Sequence, residues 1–157
     1  MRSRTPEDLS GRCPGCYLPT ALCLCAEVPR VETRTDFLVI RHNKETHTST
    51  NTARLAALAL PRCRILTYGA PRQPPFDVSV LTAPGTWLLF PDAQPPPAPN
   101  TRRLRRSPHP YGMSTVEAIA GALAVLEGEA LALPLLELHE LMIDRVLAAR
   151  GRFGDDD

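Results

Sequence analysis

Cys13, Cys16, Cys23 and Cys25 follow the spacing Cys-x2-Cys-x6-Cys-x-Cys near the start of the chain. Nothing else in the sequence restricts its path so tightly. Pro14, Gly15 and Pro19 lie between the cysteines and permit tight turns. Four soft sulfur ligands this close together suit a tetrahedral Zn²⁺. Four thiolates leave no open coordination position, so such a zinc is structural rather than catalytic. Two disulfides, or four ordinary buried cysteines, are the alternatives, and the closing Cys-x-Cys is less usual than Cys-x2-Cys. Disulfides need an oxidising compartment. The segment Met1-Arg2-Ser3-Arg4-Thr5-Pro6-Glu7-Asp8 has no apolar stretch of the secretory kind, and no apolar run is long enough to cross a membrane. A cytoplasmic chain with a structural zinc is therefore expected. Cys63 stands apart and reads as a small core residue.

The chain has 157 residues, enough for one domain with its own core. Residues 1–11 read as a flexible arm, 12–30 as a zinc knuckle, 31–150 as an α/β domain and 151–157 as an acidic tail. Asp36 to Arg41 is a short apolar run rich in β-branched residues and predicts a buried strand. A polar loop follows, His42 to Asn51, with two histidines, an acid and several hydroxyls. A helix is expected from Thr52 to Leu60, with Leu55, Ala56, Leu58 and Ala59 inward and Ser49, Thr50 or Asn51 as its cap. A strand, a polar loop and a helix start make up the ligand-facing edge of many α/β sheets. His42 and Glu45 are candidates there, although a solvated connection would also look polar. Further strands are expected at 64–69 and 86–90. The prolines of residues 91–101 predict an extended, polyproline-like link.

Residues 102–120 combine a basic cluster, a stiff loop and a helix start. Arg102, Arg103, Arg105 and Arg106 precede Pro108, Pro110 and Gly112. Ser114 and Glu117 then form a capping box. Val116, Ile119, Ala120, Leu123 and Leu126 recur at helical steps, and Gly128 ends the run. A helix start attracts anions through its backbone N–H groups. The arginines suit phosphates, or they are a solvated basic loop. Charge is segregated: residues 1–106 hold 15 Lys/Arg and 8 Asp/Glu, whereas residues 107–157 hold 3 and 9. A basic face and an acidic face are expected. A last helix is expected from about Pro134 to Arg150, ended by Gly151. Its inward residues would be Leu135, Leu136, Leu138, Met142, Ile143, Val146 and Leu147. His139 reads as structural. That wide apolar face leaves monomer and homodimer both open.

Taken in order, these pieces resemble the DTW-domain family. They are the cysteine quartet, Arg41-His42-Asn43-Lys44-Glu45, Asn51-Thr52-Ala53-Arg54-Leu55, Leu88-Leu89-Phe90-Pro91, and Arg105-Arg106 through Ser114-Thr115-Val116-Glu117-Ala118-Ile119-Ala120. The resemblance spans roughly residues 12–150. It implies a tRNA-uridine aminocarboxypropyltransferase related to the SPOUT class, with an open, mostly parallel sheet flanked by helices and room for a C-terminal knot. The cosubstrate implied is S-adenosylmethionine, whose 3-amino-3-carboxypropyl group passes to N3 of a tRNA uridine. Asn51, Thr52, Ser114, Thr115 and Glu117 would then bind the cosubstrate, and Arg102, Arg103, Arg105 and Arg106 the tRNA.

The signature that names this family, Asp-Thr-Trp, does not occur in the chain. Gly85-Thr86-Trp87 follows Pro84 and precedes Leu88-Leu89-Phe90-Pro91, whereas the family signature comes after that strand. It reads as part of the third strand. The segment carrying the signature, and a strand with it, is expected to be missing, which leaves the fold incomplete and a sheet edge exposed. With no carboxylate at that position, Glu45 or His42 would have to act as the general base. A zinc-stabilised module that binds RNA or S-adenosylmethionine without catalysis is the alternative.

Overall fold

The computed structural model describes residues 11–48, 50–89, 104 and 112–151. The arm, the proline-rich link, the arginines at 102, 103, 105 and 106, and the acidic tail lie outside the described residues. Strand β1, Phe37–His42, pairs with strand β2, Cys63–Tyr68. The pairing is parallel and runs from Phe37 opposite Cys63 to His42 opposite Tyr68. Helix α1, Ala53–Ala59, connects them. Parallel neighbours need a crossover of this kind because a hairpin cannot join them. Helices α2, Thr115–Glu127, and α3, Glu129–Gly151, follow. The chain is thus a mixed α/β fold: a small parallel sheet, flanking helices and an N-terminal four-cysteine knuckle.

Apolar spacing places α1 and α2. Ala53, Leu55, Ala56 and Ala59 are buried on α1, and Val116, Ile119, Ala120 and Leu123 on α2. Leu58 and Leu126, both expected inward, are exposed. The buried faces meet Leu135, Leu138 and Met142 of α3 in one apolar cluster. Cys16, Leu18 and Leu24 of the knuckle belong to that same cluster. Each leucine, isoleucine, valine or methionine among them contributes about 1.5–3 kcal/mol when fully buried.

Four expectations are corrected. Helix α3 starts at Glu129, so Pro134 lies inside it. An interior proline costs about 3 kcal/mol through its missing N–H and its clash with the preceding turn. Burial of Ala132, Leu135, Leu138, His139, Met142 and Ile143 offsets that cost. Leu136, in contrast, is exposed. Residues 86–89 form no strand, and Trp87 and Leu88 are 92% and 82% exposed. The described sheet has two strands. An apolar run holds strand geometry only when a neighbour accepts its backbone hydrogen bonds. Strand β1, expected to be buried, has no fully buried residue.

Glu127 closes the fold from the end of α2. Its carboxylate accepts the Arg34 N–H at 2.9 Å and the Thr35 N–H at 2.7 Å. The Arg34 guanidinium stands 3.6 Å away, and the Glu127 side chain is 4% exposed. The hydrogen bonds from Thr35 and Arg34 hold this carboxyl well down, at about 2 against an ordinary 4.5. A depressed folded-state value means stability that is complete above the ordinary value and lost as pH falls toward about 2. Glu127→Ala should therefore lower the thermal midpoint at neutral pH and flatten the acid limb of the stability curve. Melts at stepped pH measure both effects.

Candidate functional site

The knuckle is built by local hydrogen bonds. Cys13 N–H donates to the Leu18 carbonyl and Tyr17 N–H to the Cys13 carbonyl, each at 2.9 Å. Tyr17 adopts φ 61°, a left-handed turn that folds the chain back on itself. A 3₁₀ turn, Thr20–Leu22, then brings in Cys23 and Cys25. All four sulfurs lie within 4.8 Å of one another. Cys13 Sγ is 3.5 Å from Cys25 Sγ, and Cys16 Sγ is 3.9 Å from Cys23 Sγ. A tetrahedron with metal–sulfur bonds of about 2.3 Å has edges of about 3.8 Å. A disulfide would need about 2.05 Å. All four are free cysteines, and the quartet can hold a metal ion.

Charge supports the same conclusion. The Cys16 backbone N–H and the Cys23 thiol pull Cys13 down to about 6. Desolvation and the thiols of Cys13 and Cys23 push Cys25 up to about 12. A divalent ion is what lets all of them ionise together.

Two arginines from the helical core grip the knuckle. Arg54 of α1 donates to the carbonyls of Gly15 and Pro14. Its guanidinium lies 3.3 Å over the Tyr17 ring. Arg145 of α3 donates to the Cys23 carbonyl and pairs with Glu27. Neither contact is written in local sequence, since the partners are 39 to 122 residues apart.

The polar loop forms the second part of the site. His42 ends β1, and its Nδ1 accepts the Lys44 N–H at 3.1 Å. The ring meets Tyr68 edge-on at 5.1 Å. Glu45 completes a 3₁₀ turn, Asn43–Glu45, and its carbonyl accepts Asn51 Nδ2 at 2.8 Å. Asn51 Oδ1 in turn accepts the Ala53 N–H at 3.2 Å, which secures the start of α1. One asparagine thus ties the loop to the helix.

The start of α2 reaches this loop. Val116 N–H points to Thr52 Oγ1 at 3.4 Å, across 64 residues of sequence. The Asn51–Thr52 pair and the Ser114–Glu117 run are therefore neighbours. The capping box is present: Ser114 N–H donates to Glu117 Oε2 at 2.6 Å, and Glu117 N–H donates to Ser114 Oγ at 3.3 Å. This corrects the expectation of an open helix start. The N–H groups of Ser114, Val116 and Glu117 are committed, and a carboxylate already sits there. Among the described residues, exposed Thr115 is the residue of this turn left for other contacts.

Arg41, Arg54, Tyr17 and Gly15 were not singled out as site residues from sequence, yet the first two, with Gly15, line a cleft of about 330 Å³. A charged residue at the C-terminal end of a parallel strand was the available signal for Arg41.

A DTW-domain model matches residues 10–102, more than half of the chain. The chain belongs to the DTW-domain family, a membership consistent with a tRNA-modifying enzyme. The matched span takes in the knuckle, β1, α1 and β2, and it ends before α2. No curated protein and no solved structure matches the chain. Among the described residues no helix is long and apolar enough to cross a membrane.

Proposed function

We propose that this chain transfers the 3-amino-3-carboxypropyl group of S-adenosylmethionine to N3 of a tRNA uridine. The observation that carries the reading is the DTW-domain match over the knuckle and the β1–α1–β2 unit. The meeting of Thr52 with Val116 supports it, because it joins the residues proposed for the cosubstrate into one wall. Asn51, Thr52, Ser114, Thr115 and Glu117 form that wall, with Glu117 suited to a cationic group and Thr115 to a hydrogen bond. Arg102, Arg103, Arg105 and Arg106 hold tRNA phosphates. The cysteine quartet carries a structural Zn²⁺.

In the reaction, uridine N3 forms a bond to the carbon next to the sulfonium. The carbon–sulfur bond breaks, its electron pair stays on sulfur, and methylthioadenosine leaves. The N3 proton must go to a base. His42 uses Nδ1 to accept the Lys44 N–H. The neutral ring then carries its proton on Nε2 and has no lone pair to offer. Glu45 is the better base.

A non-catalytic RNA- or S-adenosylmethionine-binding module is the second reading, favoured by the lack of an Asp-Thr-Trp signature. Mass spectrometry of tRNA nucleosides after incubation with S-adenosylmethionine separates the two. Aminocarboxypropyl-uridine and methylthioadenosine in equal amounts are expected. Saturable cosubstrate binding with neither product would establish the second reading.

A further inference from the structure

The cleft lined by Gly15, Arg41, Arg54, Ala57, Leu58 and Ile65 lies between the knuckle, β1, α1 and β2. Its volume, about 330 Å³, is within the range of small-molecule sites. Arg41 and Arg54 are its two charges, and among the described residues neither pairs with a carboxylate. Arg54 has Nε and Nη2 committed to the Gly15 and Pro14 carbonyls. It supplies charge to the cleft more than donors. Arg41 differs. Its Nη2 donates to Thr67 Oγ1 at 3.0 Å, across the β1–β2 pairing. Its Nε and Nη1 are buried and have no partner among the described residues.

Native proteins leave few buried polar atoms unpaired, and each one needs an explanation. Those found among the described residues fall in one short stretch: Arg41 Nε and Nη1, Thr46 Oγ1, His47 Nδ1 and Thr50 Oγ1. The stretch is continuous in space with the cleft, because His47 lies 5.7 Å from the Tyr17 ring that Arg54 covers. Burial and the Arg54 charge pull Arg41 below its ordinary value. Two guanidinium groups held near each other with no carboxylate between them are a cost to the fold that an anion removes.

We propose that this cleft is an oxyanion subsite, in which Arg41 donates to a phosphate or carboxylate group and Arg54 supplies a second positive charge. Guanidinium groups match the geometry of either oxyanion. For the proposed reaction the two sources are an RNA phosphodiester and the amino-acid end of the cosubstrate. Only that choice of source rests on the functional reading; the subsite itself does not.

The first test uses inorganic phosphate and needs neither RNA nor cosubstrate. Phosphate should raise the thermal midpoint of the full chain above that in chloride of equal ionic strength. Arg41→Gln should abolish the rise and Arg41→Lys should keep part of it. An equal rise in Arg41→Gln, or no rise in the native chain, would overturn the proposal. Circular dichroism of both variants checks that they fold. If Arg41→Gln does not, the Lys variant decides alone: an undiminished rise in it sinks the proposal, and a reduced rise supports it.

The second test fixes the source. Weaker tRNA binding by the folded variant, with a salt slope smaller by about 0.7–0.9 and unchanged S-adenosylmethionine affinity, assigns an RNA phosphate. Weaker S-adenosylmethionine binding with unchanged tRNA affinity assigns the carboxylate. If neither affinity moves, the oxyanion comes from neither source and that part of the proposal fails. Lack of transferase product leaves the phosphate result standing, so the two readings fail separately.

Discussion

Removal of metal from the knuckle is expected to unfold the protein, not merely loosen its first residues. Zinc bound by four such ligands stabilises the folded form by about 10–16 kcal/mol in small zinc modules near neutral pH. Whole domains are stable by about 5–15 kcal/mol. Loss of the ion therefore removes as much free energy as the fold has to spare. The route into the core is specific. Leu18 and Leu24 are buried in the same cluster as Leu55, Leu135 and Met142. Arg54 and Arg145 anchor α1 and α3 to carbonyls of Gly15, Pro14 and Cys23. If the cysteines separate, these contacts are lost together. Protein purified without added metal should hold about one zinc per chain, and less than about half would count against the site. A strong chelator should then abolish the cooperative melt and most of the helical circular dichroism, and Cys16→Ser should do the same. Gly15→Ala is the finer probe. A methyl at Gly15 would lie 2.8 Å from Cys25 Sγ, closer than a carbon and a sulfur can pack. It should displace one ligand and weaken metal binding at least tenfold, as competition with a colorimetric chelator would show. Native-like melts in chelator would remove zinc from the account of this fold.

The parts of this structure that sequence predicts well are those closed by near neighbours. The quartet is one, since its sulfurs meet through turns only a few residues long. Helix α2 is another: a capping box, a helical apolar period and Gly128 all act within one segment, and the cap forms as its residue types predict. The errors come from longer range. Pro134 reads as a helix start because prolines favour the first turn. Gly128, with φ 110°, already separates the two helices, and α3 begins immediately after it. Trp87 and Leu88 read as a strand from apolar content alone, but a strand also needs a partner. Glu127 reads as the tail of an amphipathic helix. Its carboxylate instead holds Arg34 and Thr35 from 92 or more residues away. At the site, sequence identifies Asn51 and Ser114 as separate caps. That the Thr52 hydroxyl joins the two segments follows only from how α1 packs on α2. The Arg41–Arg54 cleft has the same origin, since it needs the knuckle folded back onto α1.

Glu45→Gln is expected to lower the rate of aminocarboxypropyl transfer by about 10²–10⁴-fold, the usual contribution of a positioned general base. Glutamine keeps the size of the side chain and its hydrogen-bonding oxygen, but cannot take the N3 proton. The tie between the loop and α1 should hold. Glu45 contributes its carbonyl, not its carboxylate, to the Asn51 contact that ties the loop to α1. S-adenosylmethionine affinity should also stay the same, because the residues proposed to bind it lie on the Asn51–Thr52 and Ser114–Glu117 wall. His42→Asn gives the contrast. The imidazole is tied through Nδ1 to Lys44 N–H and packs against Tyr68, and its ring lies close over Gly69. Its loss should disturb the loop by less than about tenfold in rate, far less than loss of the base. Single-turnover assays with saturating cosubstrate, read as aminocarboxypropyl-uridine by mass spectrometry, compare the two variants with the native chain. A native rate in Glu45→Gln would exclude this carboxylate as the base. A far larger loss in His42→Asn than in Glu45→Gln would reverse the assignment and mean that the ring turns to free a nitrogen when substrate binds.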